Sequence, residues 1–188
     1  FNNAGFDVWL LLREPQADRN YDQVRSFADE TLREAARWLR HERRYGRIIA
    51  AGQSAGGWAA LAALDTPGLI DGAIAIAGAG YYVAPDGRRN LLDFDALLGR
   101  VRDATAPIVA VMFDGDPLLP EPARSAEAMR RALAWRSGRL LVIERPEGLA
   151  GHGAGVAPMF NDRFGACLLR LVADGDAMLC RGAGVPPT

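Results

Sequence analysis

The chain has 188 residues, of which 49% are hydrophobic and 24% are charged, and its formal net charge is −1. This composition is typical of one globular domain with its own core. The near-zero charge gives no field that would attract nucleic acid, and no apolar run is long enough to span a bilayer. We therefore expect a single domain over residues 1–188, in which 173–188 form a C-terminal tail.

Hydrophobic periodicity predicts strands and helices that follow one another along the chain. Nearly continuous apolar runs predict buried strands at 5–12, 47–52, 69–77, 107–113 and 140–143. Apolar residues at helical spacing predict helices at 21–44, 55–64, 121–136 and 158–172, and a short one around 94–98. This order favours an α/β fold, with a mostly parallel sheet and helices on both faces.

The most informative stretch is Gly52-Gln53-Ser54-Ala55-Gly56, which lies between a predicted strand and a predicted helix. Gly52 and Gly56 would leave room for a sharp turn that raises the Ser54 hydroxyl above the sheet edge. The N–H groups of the first helical turn would lie beside that hydroxyl, where an oxyanion could form. The alternative interpretation is a loop of small residues that closes a strand–helix contact.

In this context the motif resembles the nucleophile elbow of the α/β-hydrolase family. The resemblance covers nearly all the chain and is closest to dienelactone-hydrolase-like and carboxylesterase-like members. It implies an α/β-hydrolase fold lacking its first strands, since these and one oxyanion donor would precede Phe1. It leaves the N–H of Ala55 as the donor that can be named, and it implies no cofactor or metal. Dienelactone hydrolases proper have cysteine where this chain has Ser54.

A serine nucleophile needs a base, and histidine is the usual one because imidazole exchanges protons near neutral pH. Of two histidines, His41 falls within a predicted helix, whereas His152 lies between glycines in a loop after a strand. The resemblance implies an acid between serine and histidine, and Asp114 and Asp116 both qualify. Asp116-Pro117-Leu118-Leu119-Pro120 resembles the acid loop of the family, which favours Asp116. The order Ser54, Asp116, His152 is that of the family.

The resemblance implies a serine hydrolase that cleaves the ester of a small or medium carboxylic acid through an acyl-enzyme. Its partner would be a small-molecule ester, and the oligomeric state stays open. A peptidase or thioesterase on the same fold and an inactive hydrolase-like binding protein are the alternatives. Four side chains either line the substrate pocket or pack around the elbow: Gln53, Trp58, Tyr81 and Tyr82.

The two cysteines, Cys167 and Cys180, allow two interpretations. They are either buried thiols or a disulfide that pins the tail to the last helix. A disulfide would place the protein in the periplasm or outside the cell, whereas thiols are compatible with the cytoplasm. Their spacing to other cysteines and histidines predicts no zinc site.

Overall fold

Four parallel strands form the centre of the computed structural model, which describes residues 5–12, 21–79, 94–136 and 139–174. Each strand is hydrogen-bonded to the next one along the chain, and all three pairs are parallel. The strands are β1 (Ile49–Gln53), β2 (Gly72–Ile76), β3 (Ile108–Met112) and β4 (Leu140–Glu144). Four of the five predicted strands are therefore confirmed.

The predicted helices are also present, with small changes at their ends. They are α1 (Tyr21–His41), α2 (Ala55–Ala62) followed by a 3-10 turn (Ala63–Asp65), α3 (94–98) and α4 (Pro122–Ala132). The last predicted helix consists of α5 (Pro158–Phe160), a π-helical turn (Asn161–Gly165) and α6 (Ala166–Asp174). It extends into the segment expected to be tail, and 175–188 lie outside the described residues. Among the described helices, none has the length and apolar character needed to cross a membrane.

Both faces of the sheet are covered at β2, β3 and β4, as expected for parallel strands. The strand predicted to be buried at 47–52 is only partly so, because β1 is the edge strand of the described sheet and its Ala51 is exposed. Every residue of β3 is buried, and successive side chains point to opposite faces. Ala73, Ile108 and Ala110 belong to one apolar cluster, together with residues of α2 and α4. Alternate positions belong to a second cluster with Phe160 and Phe164 from the C-terminal helices. The expected α/β architecture with helices on both faces is confirmed.

The strand predicted at 5–12 is wrong. These residues have no regular secondary structure, and the side chains of Leu10 and Leu12 are 79% and 76% exposed. An apolar run suits a buried strand, but a strand also needs a neighbour that pairs with its main-chain groups, and no described strand does so. The segment lies against the end of α1 instead: the Trp9 ring meets Trp38 edge-on at 5.2 Å between centroids.

Candidate active site

Ser54 occupies a strained turn between β1 and α2. Its φ of 56° and ψ of −123° lie in a region that residues with side chains rarely adopt. Three main-chain hydrogen bonds hold this turn: the Ser54 N–H donates to Ile76 at 3.0 Å, and the Ser54 carbonyl accepts from Trp58 at 3.0 Å and Ala79 at 3.3 Å. Because the neighbouring strand and the new helix both fix its peptide groups, Ser54 stays in this conformation at the carboxyl end of β1.

The glycines around Ser54 have different roles. A Cβ on Gly52 would lie 2.4 Å from the carbonyl carbon of Gly56, so Gly52 is required for the chain to fold back on itself. A Cβ on Gly57 would come within 3.0 Å of the Gly52 oxygen and 3.2 Å of Gly78 Cα. A Cβ on Gly56 would meet none of the described atoms within 4 Å. The expectation that Gly56 itself must lack a side chain to make room is therefore wrong, because the tight contacts are made at Gly52 and Gly57.

The start of α2 leaves main-chain donors next to Ser54. The first helical hydrogen bond runs from the Trp58 N–H to the Ser54 carbonyl. The N–H groups of Ala55, Gly56 and Gly57 precede it, so they have no acceptor within the helix. The positive end of the helix dipole is located here as well. The N–H of Ala55 follows Ser54 directly, which suits it to donate to an oxyanion formed on a carbonyl group attacked by the serine.

His152 and Asp116 are in contact. Nδ1 of His152 lies 2.9 Å from one carboxylate oxygen of Asp116 and 3.1 Å from the other. The Asp116 side chain is fully buried, and its Oδ1 also accepts hydrogen bonds from the N–H groups of Leu118 at 2.8 Å and Leu119 at 3.3 Å. The short turn after β3 therefore fixes the carboxylate, which in turn orients the imidazole.

Asp114 reaches the same loop through its main chain. Its side chain is exposed, while its carbonyl oxygen accepts a hydrogen bond of 2.7 Å from the N–H of Gly151. Asp114 and Ala150 also form an isolated parallel bridge that prolongs the pairing of β3 with β4. Of the two candidate acids, the structure thus brings the carboxylate of Asp116 to His152.

The loop that carries His152 lies against the residue before Ser54. Nε2 of Gln53 donates a hydrogen bond of 2.6 Å to the carbonyl oxygen of His152. Nε2 of His152 is buried and has no hydrogen-bond partner among the described residues, so it is not bonded to Ser54. The structure therefore brings together two of the three predicted catalytic residues and places the third on the adjoining turn.

The other predicted pocket residues have different positions. Trp58 is 5% exposed and belongs to the core cluster on the α2 side of the sheet, so its described contacts fit the packing interpretation. Gln53 points to the histidine loop, a contact that no sequence pattern indicates. Tyr81 and Tyr82 lie outside the described residues. Within the described ranges, no three potential metal ligands come together.

Comparison with known proteins gives a likeness at the level of the fold. No protein-family model matches the chain, and no curated protein matches it significantly. The chain is similar to the crystal structure of TT1662 from Thermus thermophilus, with a TM-score of 0.54 and 25% sequence identity. The match covers 84% of this chain and 68% of that one. Together with the parallel sheet, this likeness is consistent with a hydrolase-like α/β fold.

Proposed function

We propose that this chain is a serine hydrolase that cleaves carboxylic esters with Ser54, His152 and Asp116. The observation that carries the proposal is the contact of 2.9 Å between a buried carboxylate and Nδ1 of a loop histidine. That histidine lies on a loop hydrogen-bonded to Gln53, the residue before a serine with strained backbone. A fully buried carboxylate paired with imidazole beside such a turn is costly to maintain, which favours a catalytic role.

In the proposed first step, Asp116 accepts the hydrogen bond of the Nδ1–H group and so leaves Nε2 of His152 as the acceptor. Nε2 takes the proton of the Ser54 hydroxyl while Oγ attacks the ester carbonyl carbon. The negative charge that develops on the carbonyl oxygen accepts a hydrogen bond from the N–H of Ala55. Asp116 stabilises the imidazolium without taking up the proton itself.

The tetrahedral intermediate then collapses, and the bond between the carbonyl carbon and the leaving alcohol breaks. Nε2 of His152 gives its proton to that alcohol, and an acyl-enzyme on Ser54 remains. Water then attacks the acyl carbon with the same imidazole as base, which releases the acid and regenerates the serine. All proton transfers use Nε2, the atom that has no partner among the described residues.

Thioesters and peptides react by the same sequence of steps, so the leaving group distinguishes ester hydrolysis from the alternatives. An alkoxide leaving group needs a proton from His152, whereas a thiolate leaves readily without one. We therefore expect esters of small acids to be turned over, with loss of His152 affecting alkyl esters more than thioesters. The values of kcat/KM for matched acetyl and butyryl esters, thioesters and anilides, measured with and without His152, test both expectations.

The test of the proposal is hydrolysis of p-nitrophenyl acetate and butyrate by the chain and its Ser54→Ala variant. We expect turnover by the chain and its loss in the variant, with the same circular dichroism spectrum. Ser125→Ala is the matched control, since its buried Oγ in α4 has no described hydrogen-bond partner and it should keep full activity. Equal turnover by the chain and Ser54→Ala would show that Ser54 is not the nucleophile.

A further inference from the structure

Gln53 connects the two halves of the candidate site. It is the last residue of β1 and the residue before Ser54, and its Nε2 donates the hydrogen bond of 2.6 Å to the carbonyl of His152. Ninety-nine positions separate the two residues, so this contact joins two distant parts of the chain at the point where the nucleophile and the base must meet. We propose that Gln53 is a positioning residue, which sets the position of the His152 imidazole relative to Ser54. This inference rests on the proposed function.

The other contacts of the histidine do not fix this position. Asp116 holds Nδ1, which determines the tautomer and the direction of the ring. The Asp114 carbonyl holds the N–H of Gly151, one residue earlier. Both contacts connect the loop to the end of β3, two strands away from β1. Among the described hydrogen bonds, that of Gln53 joins the main chain of His152 to β1, the strand that leads into Ser54.

The packing around this hydrogen bond favours a small displacement, rather than release of the loop, when the bond is lost. A Cβ on Gly155 would lie 2.2 Å from Cγ2 of Ile76 and 3.4 Å from Oε1 of Gln53, so the loop passes closely over the end of β2. That close approach persists without the Gln53 amide. Oε1 of Gln53 is buried without a hydrogen-bond partner among the described residues, so the described hydrogen bond of this side chain is the one that its amide donates to His152. A shift of the base by about 1 Å costs on the order of 100-fold in rate.

The variant that tests the proposal is Gln53→Met, which keeps the length of the side chain and removes the donor. We expect kcat for a p-nitrophenyl ester to fall by about 100-fold with little change in KM. Gln53→Glu is the second variant, because its carboxylate would face the His152 carbonyl oxygen and repel it. Arg163→Met is the matched control: it removes another side-chain hydrogen bond to the same loop, 2.7 Å from Nη1 to the Glu147 carbonyl. It should leave kcat unchanged.

Nuclear magnetic resonance gives a readout that does not depend on activity. The chain has two histidines, so the imidazole signals can be assigned with His41→Gln. In the chain itself we expect a downfield Nδ1–H resonance for His152. In Gln53→Met this resonance should move or broaden, while the thermal midpoint of the variant stays close to that of the parent. The spectrum of Arg163→Met should stay close to that of the parent.

Unchanged His152 resonances and unchanged kcat in both Gln53 variants would overturn the positioning role. A fall in kcat that only follows a loss of thermal stability would overturn it as well. If the parent chain hydrolyses no ester, the proposed function fails, and the His152 resonances alone decide whether Gln53 positions the imidazole.

Discussion

The carbonyl oxygen of Asp114 accepts a hydrogen bond of 2.7 Å from the N–H of Gly151, the residue that precedes His152. Asp116, two residues later, holds His152 through its buried carboxylate. The two aspartates thus support the same loop with different groups, one with the main chain and the other with the side chain. Substitution of the side chain removes the contact only at Asp116.

This difference predicts an order among two conservative substitutions. Asp116→Asn should lower kcat for esters by up to about 10⁴-fold, because an amide no longer selects the productive tautomer of His152. Asp114→Asn should leave kcat nearly unchanged, because its carbonyl contact survives and its side chain is exposed. Steady-state kinetics on one p-nitrophenyl ester measures both. A larger loss in Asp114→Asn than in Asp116→Asn would assign the acid to Asp114.

The glycines of the elbow predict opposite effects on stability. Gly52→Ala places a Cβ 2.4 Å from the Gly56 carbonyl carbon and should lower the free energy of unfolding by about 1–3 kcal/mol. Gly56→Ala meets no described atom within 4 Å and should be neutral or stabilising by up to about 1 kcal/mol. Urea denaturation of the two variants measures both changes. Equal losses in the two variants would contradict the described geometry of the turn.

Asp103 predicts a dependence of stability on pH that is independent of the candidate site. Burial alone would raise the pKa of this carboxyl, but the N–H groups of Gly68, Ala106 and Thr105 donate to it and bring its pKa below the ordinary value. Since the pKa is lower in the folded chain than in the unfolded one, the carboxylate stabilises the fold above pH of about 4. This stabilisation should be lost as pH falls through the lowered pKa.

The measurement is the free energy of unfolding between neutral and acidic pH for the chain and for Asp103→Asn. We expect the variant to lose about 1–3 kcal/mol at neutral pH and to show a weaker decrease in acid. Asp65 is the comparison group: burial raises its pKa, but hydrogen bonds from Arg33, Thr66 and Arg100 outweigh this and lower it. Added salt should weaken the contribution of Asp65 to the free energy of unfolding more than that of Asp103. The same dependence of the free energy of unfolding on acidic pH in the parent and in Asp103→Asn would contradict this account.

The cysteines give a prediction about covalent structure and compartment. Cys167 lies half-buried in α6 near the cluster around Phe164, and Cys180 lies outside the described residues. We predict a Cys167–Cys180 disulfide that contributes about 3 kcal/mol, and with it a periplasmic or secreted location. Alkylation without reduction followed by mass spectrometry measures this. Two alkylated cysteines in protein from its native compartment would remove the argument for export.

Much of the fold could be predicted from the sequence because its signals are local. The apolar runs that form β2, β3 and β4 are mostly buried on both faces, and each of them indicates a strand. The run of β1 also indicates a strand, although Ala50 is its one buried residue. The segment 5–12 has the same signal and forms no strand, because pairing depends on a neighbour that the run itself does not contain. Periodicity identifies which residues are suited to burial and leaves strand pairing undetermined.

The residues of the candidate site also differ in whether the sequence around them gives a local signal. Ser54 and His152 stand out through their own surroundings, a glycine-flanked turn and a glycine-flanked loop. The likeness of 116–120 to the acid loop of a family favours Asp116 over Asp114. The hydrogen bond of Gln53, in contrast, joins it to a residue 99 positions away. Such long-range contacts follow from the packing of the loops over the sheet edge, and one sequence contains no local signal for them.

Covalent labelling with a fluorophosphonate probe, with the modified peptide identified by mass spectrometry, tests the proposed nucleophile most directly. The proposed mechanism predicts one label on Ser54, no label in Ser54→Ala, and slower labelling in His152→Ala and Gln53→Met than in Arg163→Met. Absence of labelling in the folded chain, or labelling that persists in Ser54→Ala, would contradict the assignment of Ser54 as the nucleophile.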